Sequence, residues 1–341
     1  MTKNRGSKLS INSCSLEELD KLIASAGEKP YRSKQIYRWL HTDKVTVFEE
    51  MTNIPAKLIT LLSEISEITV LEEENRLTAQ TAEDSGSIKF IFRLPDSLLI
   101  ESVLLKDRGK LTACISSQAG CRMGCKFCAT ASLGFKRNLL AAEILEQARL
   151  LERAAGRKLD NLVFMGMGEP FDNTENLIKA LKILLDSYGY SHRKITVSTV
   201  GIIPNLQKLF SMDAPVNLAV SVNAPRQELR RQLMPISAKY SLDALLAELR
   251  GLPLQKRKRI TLEYVLLGGI NDQERDAHDL LKIARTLPVK INLIRFNRWS
   301  GADYKKPEER DVLAFQKVLT DRGVTAFIRR SLGGEINGAC G

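Results

Sequence analysis

Apolar residues recur at helical spacing over roughly the first seventy positions of the chain. Ser15-Leu-Glu-Glu18 places a hydroxyl three residues before a carboxylate, the signature of a capping box. Leu19, Leu22 and Ile23 follow on one helical face. Between Tyr31 and Leu40 the spacing predicts a second helix with Ile36, Trp39 and Leu40 on its apolar face and Arg32, Lys34 and Arg38 on the other. Residues 1–67 therefore read as a small helical accessory domain. The period then changes to two. Ser87-Ile-Lys-Phe-Ile-Phe-Arg93 and Leu98-Leu-Ile-Glu-Ser-Val-Leu-Leu105 alternate, with turn signals at Asp84-Ser-Gly86 and Pro95-Asp-Ser97. This predicts a short β connector over 68–106.

From residue 107 onward, short apolar runs and longer amphipathic stretches take turns. Strands are predicted at 111–117, 161–165, 195–199, 216–221, 260–266 and 290–294. Helices are predicted near 138–155, 174–186, 204–210, 226–232, 241–250, 272–286 and 307–321. Six such units imply parallel strands joined by right-handed crossovers. They are too few for a closed eight-stranded barrel, so the α/β core over 107–341 is expected to be an open (β/α)6 partial barrel. A last strand at 324–329 would precede a Gly-rich tail. In such folds the chemistry sits at the carboxyl ends of the strands.

Composition narrows the setting. A chain of 341 residues, 44% of them hydrophobic, can bury a large core. Its first eight residues are polar and basic, without the apolar run of a secretory signal, and no stretch is long enough to cross a bilayer. A soluble cytoplasmic protein without a membrane partner is expected. Six cysteines, three of them crowded into one loop, suit a reducing compartment and metal or catalytic use. The net charge of +11 points to a polyanionic partner, RNA or DNA. Basic clusters lie at Arg32-Ser-Lys34, Lys256-Arg-Lys-Arg259 and Arg329-Arg330, and the first makes 1–67 the candidate RNA-binding accessory domain.

Chemistry concentrates at Cys121, Cys125 and Cys128, in the run Ala119-Gly-Cys-Arg-Met-Gly-Cys-Lys-Phe-Cys-Ala-Thr130. Three thiolates on one loop can hold three irons of a 4Fe-4S cluster and leave the fourth open, whereas a cluster that only carries electrons takes four cysteines. A zinc site is the competing reading, but structural zinc wants four ligands and no Cys or His follows Cys128 until His192. Gly166-Met-Gly-Glu-Pro170 directly follows the second predicted core strand, where glycines let the backbone approach a ligand and a carboxylate can accept from a cationic amine.

The cysteine spacing resembles that of radical S-adenosylmethionine (SAM) enzymes, and further motifs narrow the likeness. Cys114-Ile-Ser-Ser-Gln-Ala-Gly-Cys121, Gly134-Phe-Lys-Arg-Asn-Leu139, Phe164-Met-Gly-Met-Gly-Glu-Pro170, Thr196-Val-Ser-Thr-Val-Gly-Ile-Ile-Pro204, Leu233-Met-Pro-Ile236, Asn271-Asp272 and Ala339-Cys340-Gly341 together resemble the RlmN/Cfr family of radical-SAM RNA methyltransferases. The resemblance spans nearly the whole chain. It implies a radical-SAM partial barrel, a 4Fe-4S cluster on Cys121, Cys125 and Cys128, and SAM held by Gly168, Glu169, Ser198, Ser221, Val222, Asn223 and Asn297.

Carbon 2 and carbon 8 of adenine are electrophilic, so a direct methyl transfer from SAM has no nucleophile to meet. The family's route, which the resemblance carries over, methylates Cys340, turns that methyl into a radical that adds to adenine, and resolves the link with Cys114. A Cys114 to Cys340 disulfide would remain for a thiol reductant to reopen. Glu101 stands at the position of the family's proton acceptor. The implied reaction is methylation of carbon 2 of an adenosine in 23S rRNA, with the tRNA adenosine beside the anticodon as a further target and flavodoxin or ferredoxin as electron donor. Cfr-like carbon-8 methylation is the alternative, and a zinc-stabilised RNA-binding protein without catalysis is the alternative of another class. Three departures bear on substrate choice: Asn223 where many members have His, Glu335-Ile-Asn-Gly-Ala-Cys340 for the commoner Asp-Ile-x-Ala-Ala-Cys, and Arg298-Trp299 for the customary Pro.

Overall fold

The computed structural model describes residues 8–81, 85–213, 215–334 and 336. Its N-terminal helices are α1 (Leu16–Ser25), α2 (Tyr31–Arg38) and α3 (Ala56–Ile65). They close around a core of their own that includes Ile11, Leu19, Ile23, Ile36, Leu40 and Leu62. The capping box forms as the sequence predicts: Glu18 N–H donates to Ser15 Oγ at 3.2 Å and Ser15 N–H to Glu18 Oε2 at 2.8 Å.

One ten-stranded sheet organises the rest. Its strands, in chain order, are β1 (Glu72–Gln80), β2 (Ser85–Arg93), β3 (Leu99–Asp107), β4 (Lys110–Cys114), β5 (Asn161–Phe164), β6 (Ile195–Thr199), β7 (Asn217–Ser221), β8 (Ile260–Leu266), β9 (Val289–Arg295) and β10 (Ala326–Arg329). They lie side by side in that order, antiparallel from β1 to β4 and parallel from β4 to β10. The parallel part is the open α/β barrel predicted from the alternating pattern, with the expected seventh strand at its edge. The stretch expected to link the two modules is a three-stranded extension of this same sheet.

Helices α4 (Ala141–Ala155), α5 (Thr174–Asp186), α6 (Ile203–Phe210), α7 (Gln227–Leu233), α8 (Leu242–Gly251), α9 (Glu274–Ala284) and α10 (Glu309–Thr320) follow the parallel strands. Their apolar stripes cover the sheet, which leaves a strand such as β8 buried at every position. The N-terminal module docks on α4 and α5. Lys179 Nζ donates to Glu18 at 2.6 Å, Lys44 Nζ to Glu152 at 2.6 Å, and Ala142 N–H to Ser13 Oγ at 3.0 Å.

The first core strand ends three residues earlier than its hydrophobicity predicts. After Cys114 the chain leaves β3 and bonds to the end of β5 and the turn beyond it: Ile115 N–H reaches Val163 O, and Ser117 and Gln118 N–H both reach Met167 O. Gln147 on α4 fixes this exit. Wholly buried, it accepts from Ser102 Oγ and Ser116 N–H, each at 2.7 Å, and donates to Ser116 O and Glu143 O at 3.0 and 3.1 Å. Gln147→Leu keeps the volume but leaves buried groups unpaired, so it is expected to lower unfolding stability by about 3 kcal/mol. Denaturant titration measures this, and a change below about 1 kcal/mol would mean that neighbours re-pair.

Candidate active site

The cysteine loop is tied at both ends before any cofactor is considered. The short strand Gln118–Gly120 pairs antiparallel with Phe135–Asn138, and Cys121 N–H donates to Gly134 O at 3.1 Å. Gly120 has φ +75°, and a Cβ there would lie 1.7 Å from Gly134 O, so only glycine fits. Lys126 N–H bonds Leu233 O at 2.9 Å, which explains the Leu233-Met-Pro-Ile236 motif as the loop's backing. Trp299 Nε1–H donates to Phe127 O at 3.0 Å. Burial pushes the Cys121 thiol up to about 12 and the Cys125 thiol higher still, and each is raised further by the neighbouring sulfurs. Thiols so placed ionise when a cationic centre takes them. Among the described residues no three His, Cys, Asp or Glu side chains converge on one metal ion. Three thiols on one loop suit three corners of an iron-sulfur cluster, whereas structural zinc wants four closed ligands.

The turn after β5 lies against this loop. Gly168 has φ +104°, and a Cβ on it would come within 2.6 Å of the Gln118 side chain. Glu169 is buried, its backbone N–H bonded to Gln118 Oε1 at 2.8 Å. Its carboxylate accepts from Thr199 Oγ1 at 2.6 Å, Val200 N–H at 2.9 Å and Phe171 N–H at 3.0 Å. Burial raises its pKa to about 7, against the pull of these three donors. The side chain expected to meet a ligand amine thus staples the turn to the end of β6, and three of its roughly four acceptor positions are filled from within.

The ends of the next strands complete the wall. Ser198 Oγ donates to Glu263 Oε2 at 2.8 Å. Asn223 takes φ +54°, which Asn tolerates, and its Oδ1 accepts from Val265 N–H at 2.9 Å while its Nδ2 faces Met234 Sδ at 3.4 Å. Asn271 in turn donates to Asn223 O at 2.7 Å. Asn223 is therefore a splice between β7 and β8. Arg230, buried beneath, donates to Val222 O at 3.2 Å, Val200 O at 2.8 Å and Ser221 O at 3.4 Å.

A single cavity of about 240 Å³ collects Glu101, Cys114, Cys125, Cys128, Gly168, Glu169, Ser198, Ser221, Asn223 and Asn297. Of the other residues singled out from the sequence, Cys121 and Val222 belong to the surrounding loop and strand end. Cys340 lies outside the described residues, although Gly334 of the same tail lines the cavity.

Sequence reasoning missed Glu263. It is only 6% exposed and lines the cavity; Oε1 has no hydrogen-bond partner, and Arg329 stands 3.9 Å away. The available signal was a lone carboxylate in an otherwise uncharged strand, Ile-Thr-Leu-Glu-Tyr-Val-Leu.

The basic run Lys256–Arg259 leads into the start of β8, the end of the sheet away from the cavity mouth. There Lys258 Nζ donates to Pro215 O and Arg259 to Thr325 Oγ1. Lys258 and Arg259 thus tie strand starts together, while Lys256 and Arg257 are exposed beside them. Exposed cations near the mouth are Arg122 and Lys126 on the cysteine loop and Arg298, which lines the cavity itself.

An open α/β barrel with a three-cysteine loop over its carboxyl end defines a radical-SAM enzyme, and residues 115–281 match the Radical SAM superfamily. Residues 10–68 match the ribosomal RNA large subunit methyltransferase N-terminal domain. A protein of Syntrophobacter fumaroxidans named dual-specificity RNA methyltransferase RlmN is 41% identical over 338 residues, 97% of this chain and 96% of that one. One of the same name from Geobacter sulfurreducens is 42% identical over 335 residues, covering 98% and 91%. The crystal structure of a radical SAM methyltransferase from Sphaerobacter thermophilus superposes with a TM-score of 0.89 at 36% identity, over 98% of each chain. The chain belongs to the RlmN family of radical-SAM RNA methyltransferases. The non-catalytic zinc alternative falls with that assignment.

Gly168→Ala tests the turn. With no room for a Cβ and a backbone that L side chains rarely adopt, the variant is expected to bind SAM at least about tenfold more weakly while keeping its iron. Equilibrium dialysis of anaerobically reconstituted protein measures this. Unchanged affinity would mean that the turn takes no part in the cofactor pocket.

Proposed function

We propose that this enzyme methylates carbon 2 of an adenosine in 23S rRNA, and of the tRNA adenosine beside the anticodon, using a methyl group carried on Cys340. The observation that carries this reading is the meeting of Glu101, Cys114, Cys125 and Cys128 in one cavity that the C-terminal tail enters at Gly334. Six positions separate Gly334 from Cys340. At ~3.5 Å each they span at most about 20 Å, so Cys340 stays within reach of the cavity.

Cys121, Cys125 and Cys128 would hold the 4Fe-4S cluster, and the SAM pocket would be Gly168, Glu169, Ser198, Ser221, Val222, Asn223 and Asn297. Bound there, the cluster and SAM supply the methyl group and the radical that an electrophilic ring carbon requires. The protein does the remainder. Cys340 carries the carbon to the adenine. Cys114 then bonds to the Cys340 sulfur as the carbon–sulfur bond breaks, the electron pair staying on the departing carbon, which takes up a proton to become methyl. The hydrogen displaced from the ring leaves as a proton to Glu101, and the one electron left over from radical addition would go to the 4Fe-4S cluster that Cys121, Cys125 and Cys128 would hold. A disulfide remains, and a thiol reductant returns two electrons and two protons to it.

Relatives named RlmN across nearly the full length support carbon 2 over carbon 8. A flavodoxin or ferredoxin as electron source and a cytoplasmic location belong to the same reading, since free thiols and a reducible cluster need a reducing compartment. Among the described residues no helix is long and apolar enough to cross a membrane.

Cysteine variants test the chemistry. Cys340→Ala is expected to retain iron and sulfide yet transfer no methyl to RNA. Cys114→Ala is expected to accumulate a covalent protein–RNA adduct, seen on a denaturing gel as a slow, nuclease-sensitive band. Full methylation by both would overturn the proposal.

Surface charge gives a separate expectation. Replacing Lys126 and Arg298 with Gln should weaken RNA binding and flatten the slope of log affinity against log salt by about 1 per side chain. Replacing Lys256 and Arg257 should change neither. The opposite ranking in a filter-binding titration would place the RNA at the other end of the sheet.

A further inference from the structure

We propose that Lys89 is a positioning residue for methyl transfer, holding the Glu101 carboxylate in place beside Cys114. This rests on Glu101 being the proton acceptor. The strand register puts the groups on one face. Lys89 lies opposite Val103 and Ile91 opposite Glu101 across the β2–β3 pair, and Val103 lies opposite Cys114 across β3–β4. Paired residues share a face and alternate residues along a strand return to it. Lys89, Glu101, Val103 and Cys114 therefore point the same way, and the last three line the cavity.

The backbone of Glu101 is already pinned, with its carbonyl accepting from Ser116 Oγ at 2.5 Å and its N–H facing Met167 Sδ at 3.3 Å. Its carboxylate has one hydrogen-bond partner among the described residues, Lys89 Nζ at 3.1 Å. Exposure is inverted relative to an ordinary surface pair: the lysine side chain is 8% exposed and the glutamate 42%. A lysine normally runs its stem along apolar surface and leaves its ammonium in water. Burying that ammonium is costly, and a pair with one partner open to solvent returns little stability. Stability does not explain the arrangement. Position does: an ammonium has no acceptor, so Lys89 can only donate to Oε1, which leaves Oε2 for the incoming proton.

A double-mutant cycle tests this on anaerobically reconstituted full-length enzyme, by single-turnover transfer of labelled methyl from SAM to an RNA fragment. Iron content and SAM affinity are measured on the same preparations. Lys89→Met is expected to slow transfer about 10- to 100-fold, the scale of a misplaced catalytic group. Glu101→Gln should slow it about 100-fold or more. Lys89→Arg should restore most of the rate. The double variant should be no slower than Glu101→Gln alone, because Lys89 has nothing left to hold.

Should Lys89→Met lose iron, Lys89→Gln, which keeps a donor without the charge, takes its place in the cycle. Transfer by the Lys89 variant within twofold of the parent, or losses that multiply in the double variant, would overturn the role of Lys89. Full transfer by Glu101→Gln would instead remove Glu101 as acceptor, a different failure that the same cycle identifies.

Discussion

The geometry of the cavity hangs on one buried residue, Ser116, all of whose polar atoms are engaged. Its backbone N–H and C=O are matched to the Gln147 amide, while its hydroxyl donates to Glu101 O and accepts from Met167 N–H at 2.8 Å. Four segments meet there: β3, the exit from β4, the turn after β5, and α4. A fully satisfied buried network has one low-energy arrangement, because any shift strands a donor or acceptor away from water. Glu101, Cys114 and the glycine turn are thereby fixed relative to one another by a single buried side chain.

The strand ends raise a second problem, which the fold solves with charge. Parallel strands finishing under a cavity leave carbonyl oxygens without sheet partners. Arg230 fills three of them, at Val200, Ser221 and Val222, from a wholly protein-enclosed position. Burial lowers its pKa to about 10, and the neighbouring Cys125 sulfur opposes that shift. On the other side Glu169 gathers the backbone N–H of Val200 and Phe171. One cation serves the orphan acceptors and one carboxylate the orphan donors, so the cavity rim is rigid without an added ligand.

Much of this was legible in the sequence because periodic segments announce themselves. The strands at 195–199 and 260–266 and the helix at 174–186 fall where hydrophobic spacing put them. The cysteine loop and the glycine turn were found because their residue types have few structural uses. What failed to show follows from properties that a linear pattern does not carry. The strand after residue 110 stops at Cys114 although apolar residues continue, because Ser116 and Ser117 exchange one strand partner for the turn beyond β5. Glu263 was hidden by its uncharged strand, and Lys89 by an alternation that reads as ordinary sheet. Asn223, conspicuous as a replacement for histidine, does backbone work that neither residue type would announce.

The antiparallel extension β1–β3 explains how Glu101 comes to line the same cavity as Cys114 and the strand-end residues. A parallel barrel alone brings only strand ends to its mouth, and those are already occupied by the turn, Ser198, Ser221 and Asn223. Adding β3 against β4 brings the flank of a strand to the cavity, so that Glu101 and Val103 line it from the side together with Cys114. Strand pairing does not close the barrel on that flank, although Arg330 from beyond the far strand β10 reaches across to Asp107 of β3 at 2.6 Å. The same sheet thus supplies the cofactor end, the reactive flank and the opening, through the addition of three antiparallel strands to six parallel units.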